Sequence, residues 1–148
     1  MKSIYLIAIF IFCLSPLAKS QQVALNFDGS DDYVQTTYLG AQSQNNRTIE
    51  AWIRTTANCD PNKGGKQKVI VDYGTFVNGE RFTFNVLWNN AIRVEIGGTG
   101  VSGKIAVNDG KWHHVAVVYN SSLSNPVRLL VDGVIDTFGV FGAKWGTT

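Results

Sequence analysis

Residues 81–96 read RFTFNVLWNNAIRVEI, and the alternation within them decides the fold class. Phe82, Phe84, Val86 and Trp88 alternate with Arg81, Thr83 and Asn85, and Ile92, Val94 and Ile96 alternate with Arg93 and Glu95. An extended chain sends successive side chains to opposite faces, so each run is expected to bury one face and wet the other. Trp88 falls on the core side with Phe82 and Phe84. Asn89-Asn90 separates the runs by two residues, and because Asn tolerates positive φ the pair predicts a type I′ hairpin.

The same pattern extends in both directions. Short β-branched and aromatic runs, separated by Gly, Asn, Asp and Ser, predict strands at 23–27, 32–37, 48–55, 67–73, 104–107, 112–119, 127–131 and 134–137. Asp132-Gly133 predicts a second two-residue hairpin. His114–Tyr119 (HVAVVY) lacks polar alternation after its histidine and belongs deep in a sheet, with His114 expected as a core histidine. No stretch keeps apolar residues three and four apart for long enough to make a helix. The fold class that follows is all-β, a two-sheet antiparallel sandwich or jelly roll.

The ends of the chain read differently. Met1-Lys2, the apolar run Ile4–Leu14 and the small residues of Ala18-Lys19-Ser20 form a secretory signal peptide over residues 1–20, with cleavage before Gln21. As a helix the eleven-residue run spans about 16 Å, short of a hydrocarbon core about 30 Å thick, so no membrane insertion is expected after cleavage. Cleavage removes Lys2 and Lys19 from the 13 basic residues and none of the 11 acids, leaving 11 of each. A neutral mature chain offers no field for nucleic acid. Cys13 also leaves, and Cys59 then stands alone in what reads as a surface loop, NCDPNKGG.

Four segments carry a resemblance when taken in order: ALNFDGSDDYV (24–34), TIEAWI (48–53), NDGKWHHVAV (108–117) and VRLLVDG (127–133). Together they resemble the laminin G-like domains of the concanavalin A-like lectin/glucanase superfamily. That resemblance implies a jelly roll over residues 21–148. It also implies a closing strand after Gly133, which residues 134–148 do not display, so the domain is expected to be C-terminally incomplete.

The chemistry-bearing residues are few. Retaining glycosidases need two carboxyls about 5–5.5 Å apart, hence acids two positions apart on one strand, and Glu50, Asp72, Glu80, Glu95 and Asp136 all lack such a partner. Gly97-Gly98-Thr99-Gly100 has neither the lysine nor the helix of a phosphate loop. Asp28, Asp31 and Asp32 crowd together as a Ca²⁺ loop would place them; a solvated Asp-rich turn has the same composition, and both readings stand. Candidate ligand contacts are Trp52, on one face with Glu50 and Arg54, and Trp88-Asn89-Asn90 at a hairpin tip, with Trp145 in the tail. Trp112 is expected at a buried rim. His113 and His114 adjoin on a strand and point to opposite faces, so they do not share a metal. Asn46 and Asn120 open glycosylation sequons that count only in a eukaryotic source. The expected function is a non-catalytic, secreted or cell-surface module binding a glycan or an extracellular protein. The alternatives are a fragment of a glycoside hydrolase or polysaccharide lyase of the same superfamily, or a structural spacer.

Overall fold

The computed structural model describes residues 23–38, 40, 45–75, 81–96 and 98–141. The expected leader over 1–20 and Trp145 lie outside them. Two units are distinguished, Met1–Tyr33 and Val34–Thr148. In the first, the described residues form no strand; a turn follows Asp28, whose Oδ1 accepts the N–H of Ser30. The strands expected at 23–27 and 32–37 are therefore absent. Their composition suits a strand, but they have no ladder partner.

Among its described residues the second unit holds eight strands: β1 (Arg47–Ile53), β2 (Lys68–Tyr73), β3 (Phe82–Leu87), β4 (Ala91–Ile96), β5 (Thr99–Ala106), β6 (His113–Tyr119), β7 (Val127–Val131) and β8 (Val134–Gly139). A single 3₁₀ turn at Pro61–Lys63 is the only helical element among the described residues. The strands make two four-stranded sheets, ordered β1-β6-β7-β8 and β2-β3-β4-β5, and every neighbouring pair is antiparallel. After β1 the chain crosses to the second sheet, runs through β2 to β5 as a meander, and returns at β6 beside β1.

The core lies between the sheets. Val115, Val117 and Tyr119 of β6, with Val127, Leu129 and Val131 of β7, meet Phe82, Phe84 and Val86 of β3 and Ile92, Val94 and Ile96 of β4. Tyr73 stacks on Phe82 with ring centroids 4.8 Å apart. β6 lies inside its sheet, as the HVAVVY run requires. One expectation fails on β3: Thr83 and Asn85, assigned to a wet face, are buried as well.

Both hairpins form, with a difference at the first. Asp132 and Gly133 take positive φ, 52° and 78°, between paired Val131 and Val134, the two-residue turn expected. Asn89 and Asn90 also take positive φ, 58° and 60°, yet the register faces Leu87 with Ala91, so the loop has three residues. That extra residue takes Trp88 out of the strand and into the turn. It is 42% exposed, not in the core beside Phe82 and Phe84.

Cys59 corrects another expectation. It is fully buried in the core cluster, and its N–H donates to Asn90 Oδ1 at 2.6 Å. The loop between β1 and β2 thus folds inward at Cys59 and Asp60.

The two sheets also meet along one side. A bulge between Leu129 and Leu130 leaves Asp136 as the extra residue of β8, and an irregularity in β4–β5 pairing frees residues 103–105. Asp136 then accepts the N–H groups of Lys104 (2.9 and 3.0 Å) and Ile105 (3.2 Å). A carboxylate thereby occupies backbone donors that an edge strand would otherwise leave open.

Candidate functional site

Strand parity builds one outward surface on the first sheet. Ile49, Ala51 and Ile53 of β1 face the core, so Thr48, Glu50 and Trp52 face out, and Arg54 continues the row. On β6 the core takes Val115, Val117 and Tyr119, which turns His114 outward. The antiparallel register sets Trp52 opposite His114.

The side chains of these rows touch. The Trp52 and His114 rings lie 5.4 Å apart, tilted by 54°. His114 Nε2 is 3.4 Å from Glu50 Oε2. Next along, the Arg54 guanidinium sits over the Trp112 ring, 5.5 Å from its centroid, in cation–π contact. Trp52 is 65% and Trp112 46% exposed. The result is a platform of two accessible indoles on one sheet face, edged by a guanidinium, a carboxylate and an imidazole. Flat apolar rings with polar groups at their margin suit a ligand that has both an apolar face and hydroxyl or amide groups.

Sequence reasoning found Trp52, Glu50 and Arg54 but assigned His114 to the core and Trp112 to a buried rim. Both are on the outer face. The signal was present, since Trp112 and His114 are two apart and share a face. The apolar run behind them outweighed it. The link to β1 depends on pairing residues some sixty positions apart, which no local pattern encodes.

Beside the platform stands His113, on the opposite face of β6. Its Nδ1 lies 2.8 Å from Asp132 Oδ2 and its Nε2 3.0 Å from Asp109 Oδ1. Asp132 Oδ1 accepts the His114 N–H, and Asp109 Oδ1 accepts the Lys111 N–H. The bond to Asp132, and then that to Asp109, raises the His113 pKa above its usual 6.5 despite partial burial. Asp132 is lowered in turn, first by His113 and then by the His114 N–H. Asp109 falls to about 2, chiefly through the Lys111 N–H and then His113.

The other sequence candidates are placed as follows. Asp28, Asp31 and Asp32 are exposed, each with a carboxylate oxygen within 4.8 Å of the others'. Asp32 Oδ2 accepts the Asp28 N–H at 2.9 Å, so Asp32 closes a turn where a strand was expected to start. Trp88 and Asn89 are exposed at the β3–β4 turn, while Asn90 spends its amide oxygen on Cys59. Asn46 and Asn120 come together at the far end of β1 and β6, where Asn46 Oδ1 accepts the N–H and hydroxyl of Ser121. On the outer side of the second sheet, Arg81 pairs with Asp72 and Arg93 with Glu95. There the buried Asn85 amide has no hydrogen-bond partner among the described residues.

A family model described as the concanavalin A-like lectin/glucanases superfamily, of laminin G type, matches residues 28–147. The chain belongs to the laminin G-like family. The all-β architecture of two antiparallel sheets agrees with that membership. At family level a laminin G-like domain is a carbohydrate- or protein-binding module, within a superfamily of enzymes and non-enzymes. No curated protein and no solved structure matches the chain. Among the described residues, no helix is long and apolar enough to cross a membrane.

Proposed function

We propose that this laminin G-like domain is an extracellular, non-catalytic recognition module that takes a glycan on the platform of Trp52 and Trp112. The observation that carries this is Trp52 itself, a large indole left mostly in water on a rigid strand between a histidine ring and a carboxylate. A sugar ring stacks its C–H face on such an indole, and Glu50, Arg54 and His114 supply acceptors and donors for its hydroxyls. Strand-borne side chains are held in fixed geometry, which limits the ordering cost of binding.

The acids support a non-catalytic reading. Asp109 and Asp132 each bond the His113 ring, at 3.0 and 2.8 Å, so the imidazole lies between these two carboxylates. Calcium belongs to the proposal as a separate element. Three carboxylates spaced like Asp28, Asp31 and Asp32 fit around a cation whose oxygen ligands sit at about 2.3–2.6 Å. A rise in melting temperature with millimolar Ca²⁺, reversed by chelator, supports that element, and an unchanged melt removes it.

The test is a glycan array on the wild-type domain and on Trp52→Ala. Stacking of one ring is worth roughly 1–2 kcal/mol, so Trp52→Ala is expected to weaken binding about tenfold with its melting temperature unchanged. Glycan binding that survives both Trp52→Ala and Trp112→Ala would contradict the assignment. Release of reducing sugar from a polysaccharide would overturn the non-catalytic reading.

A further inference from the structure

His113 is held between two carboxylates that belong to different pieces of chain. Asp109 comes from the loop entering β6, and Asp132 from the turn between β7 and β8. The side chain is only 13% exposed, and both ring nitrogens are engaged, at 3.0 and 2.8 Å. A neutral imidazole has one N–H and one lone pair, whereas an imidazolium has two N–H donors. Only the protonated ring satisfies both carboxylates. In the neutral ring a lone pair faces one of them across about 3 Å.

The surrounding charges identify which bond gives way. From the loop, Lys111 Nζ stands 3.2 Å from Asp109, and the Lys111 N–H donates to the same carboxylate. From the turn, Asp132 is fixed by the backbone N–H of His114 and has the shorter bond to the ring. From β6 itself, the His114 ring lies on the other face, against Glu50 of β1. Ile53 of β1, opposite His113 in the register, carries no charge, and Arg54 beyond it rests on Trp112. A neutral His113 keeps Nδ1–H on Asp132, and Asp109, which retains Lys111, is released.

We propose that His113 is a proton-operated latch beside the Trp52–Trp112 platform: protonated, it ties Asp109 to the β7–β8 turn, and deprotonated, it releases Asp109 while the Gly110 N–H to Thr55 carbonyl bond (3.0 Å) and the Asn108 amide to Ala57 carbonyl bond (3.3 Å) still anchor the loop. The inference rests on the platform being the ligand surface. Trp112 adjoins His113 and lies three residues past Asp109, so release of Asp109 is expected to change the surroundings of the indole that Arg54 covers. The two carboxylates raise the His113 pKa above its usual 6.5, so the latch stays closed to a higher pH than a free imidazole would allow. The ligand surface is therefore assembled in mildly acidic medium and loosens as pH rises through the His113 pKa.

Nuclear magnetic resonance of the free domain tests this without any ligand. Imidazole and indole signals are followed from pH 5 to 9 in the wild type, His113→Gln and Asp109→Asn. The expected result is a His113 midpoint above 6.5, with the Trp112 indole N–H shifting at that same midpoint. In His113→Gln the Trp112 signal becomes independent of pH, and in Asp109→Asn the His113 midpoint falls. A Trp112 signal that stays flat through the His113 titration, or follows His114 instead, would overturn the latch. Failure of the platform reading shows elsewhere, as glycan binding indifferent to Trp52→Ala, and leaves this titration unaffected.

Discussion

Asp136 holds two sheets together with one carboxylate. It accepts two backbone N–H groups from β5, and Gly103 makes room for it, since a Cβ there would come within 2.0 Å of Asp136 Oδ2. Hydrogen bonds to a charged group are worth about 1.5–3 kcal/mol, and these are partly open to water, so Asp136→Ala is expected to cost about 1–2 kcal/mol in urea unfolding. Gly103→Ala is expected to cost at least as much, and the double variant less than the two summed, because the clash leaves with the carboxylate. In the sequence Asp136 is an acid without a partner; its role appears only once a bulge turns it sideways. Cys59 shows a similar gap. The polar residues around it suggested a surface loop, yet the loop folds inward and burial pushes the thiol pKa up. A thiol-directed reagent is expected to leave Cys59 unlabelled in the native protein and to label it in denaturant. Rapid native labelling would contradict this burial.

At the level of elements, the pairing of β1 with β6 builds the proposed binding platform. Alternation within each strand was legible in the sequence, and it placed Glu50, Trp52 and Arg54 on one face. Register across the pair was not legible, because it joins residues far apart in the chain. Nothing local therefore set His114 beside Trp52, and the apolar run that follows it assigned it to the core. At the start of β6 the clamp on His113 gives the fold a pH signature. His113 has its pKa raised, so its contribution is complete below 6.5 and is lost as pH rises through the folded value. Asp109 and Asp132 have theirs lowered, so their contribution is complete above 3.8 and is lost as pH falls, toward about 2 for Asp109. The part of the melting temperature that depends on these three groups is expected to be highest between about pH 4 and 6.5 and to decline on either side. In His113→Gln the alkaline decline disappears.

On the scale of the whole molecule, period-two patterning was enough to give an all-β sandwich, because burying one face of each sheet leaves few alternatives. The misread positions share a cause: a strand needs a partner, and a hairpin loop one residue longer than expected moves a tryptophan from core to solvent. Trp88 moved that way, and residues 23–27 and 32–37 lacked a ladder. The described tryptophans thus fall into two groups, the pair on the outer face of the first sheet and Trp88 at the β3–β4 turn. Recognition is assigned to the first group. The most direct measurement is a ¹H–¹⁵N spectrum of the indole N–H signals, recorded as a glycan taken from the array is added. The account predicts that Trp52 and Trp112 shift and saturate together while Trp88 stays in place. Saturating shifts at Trp88, with Trp52 and Trp112 unmoved, would contradict it.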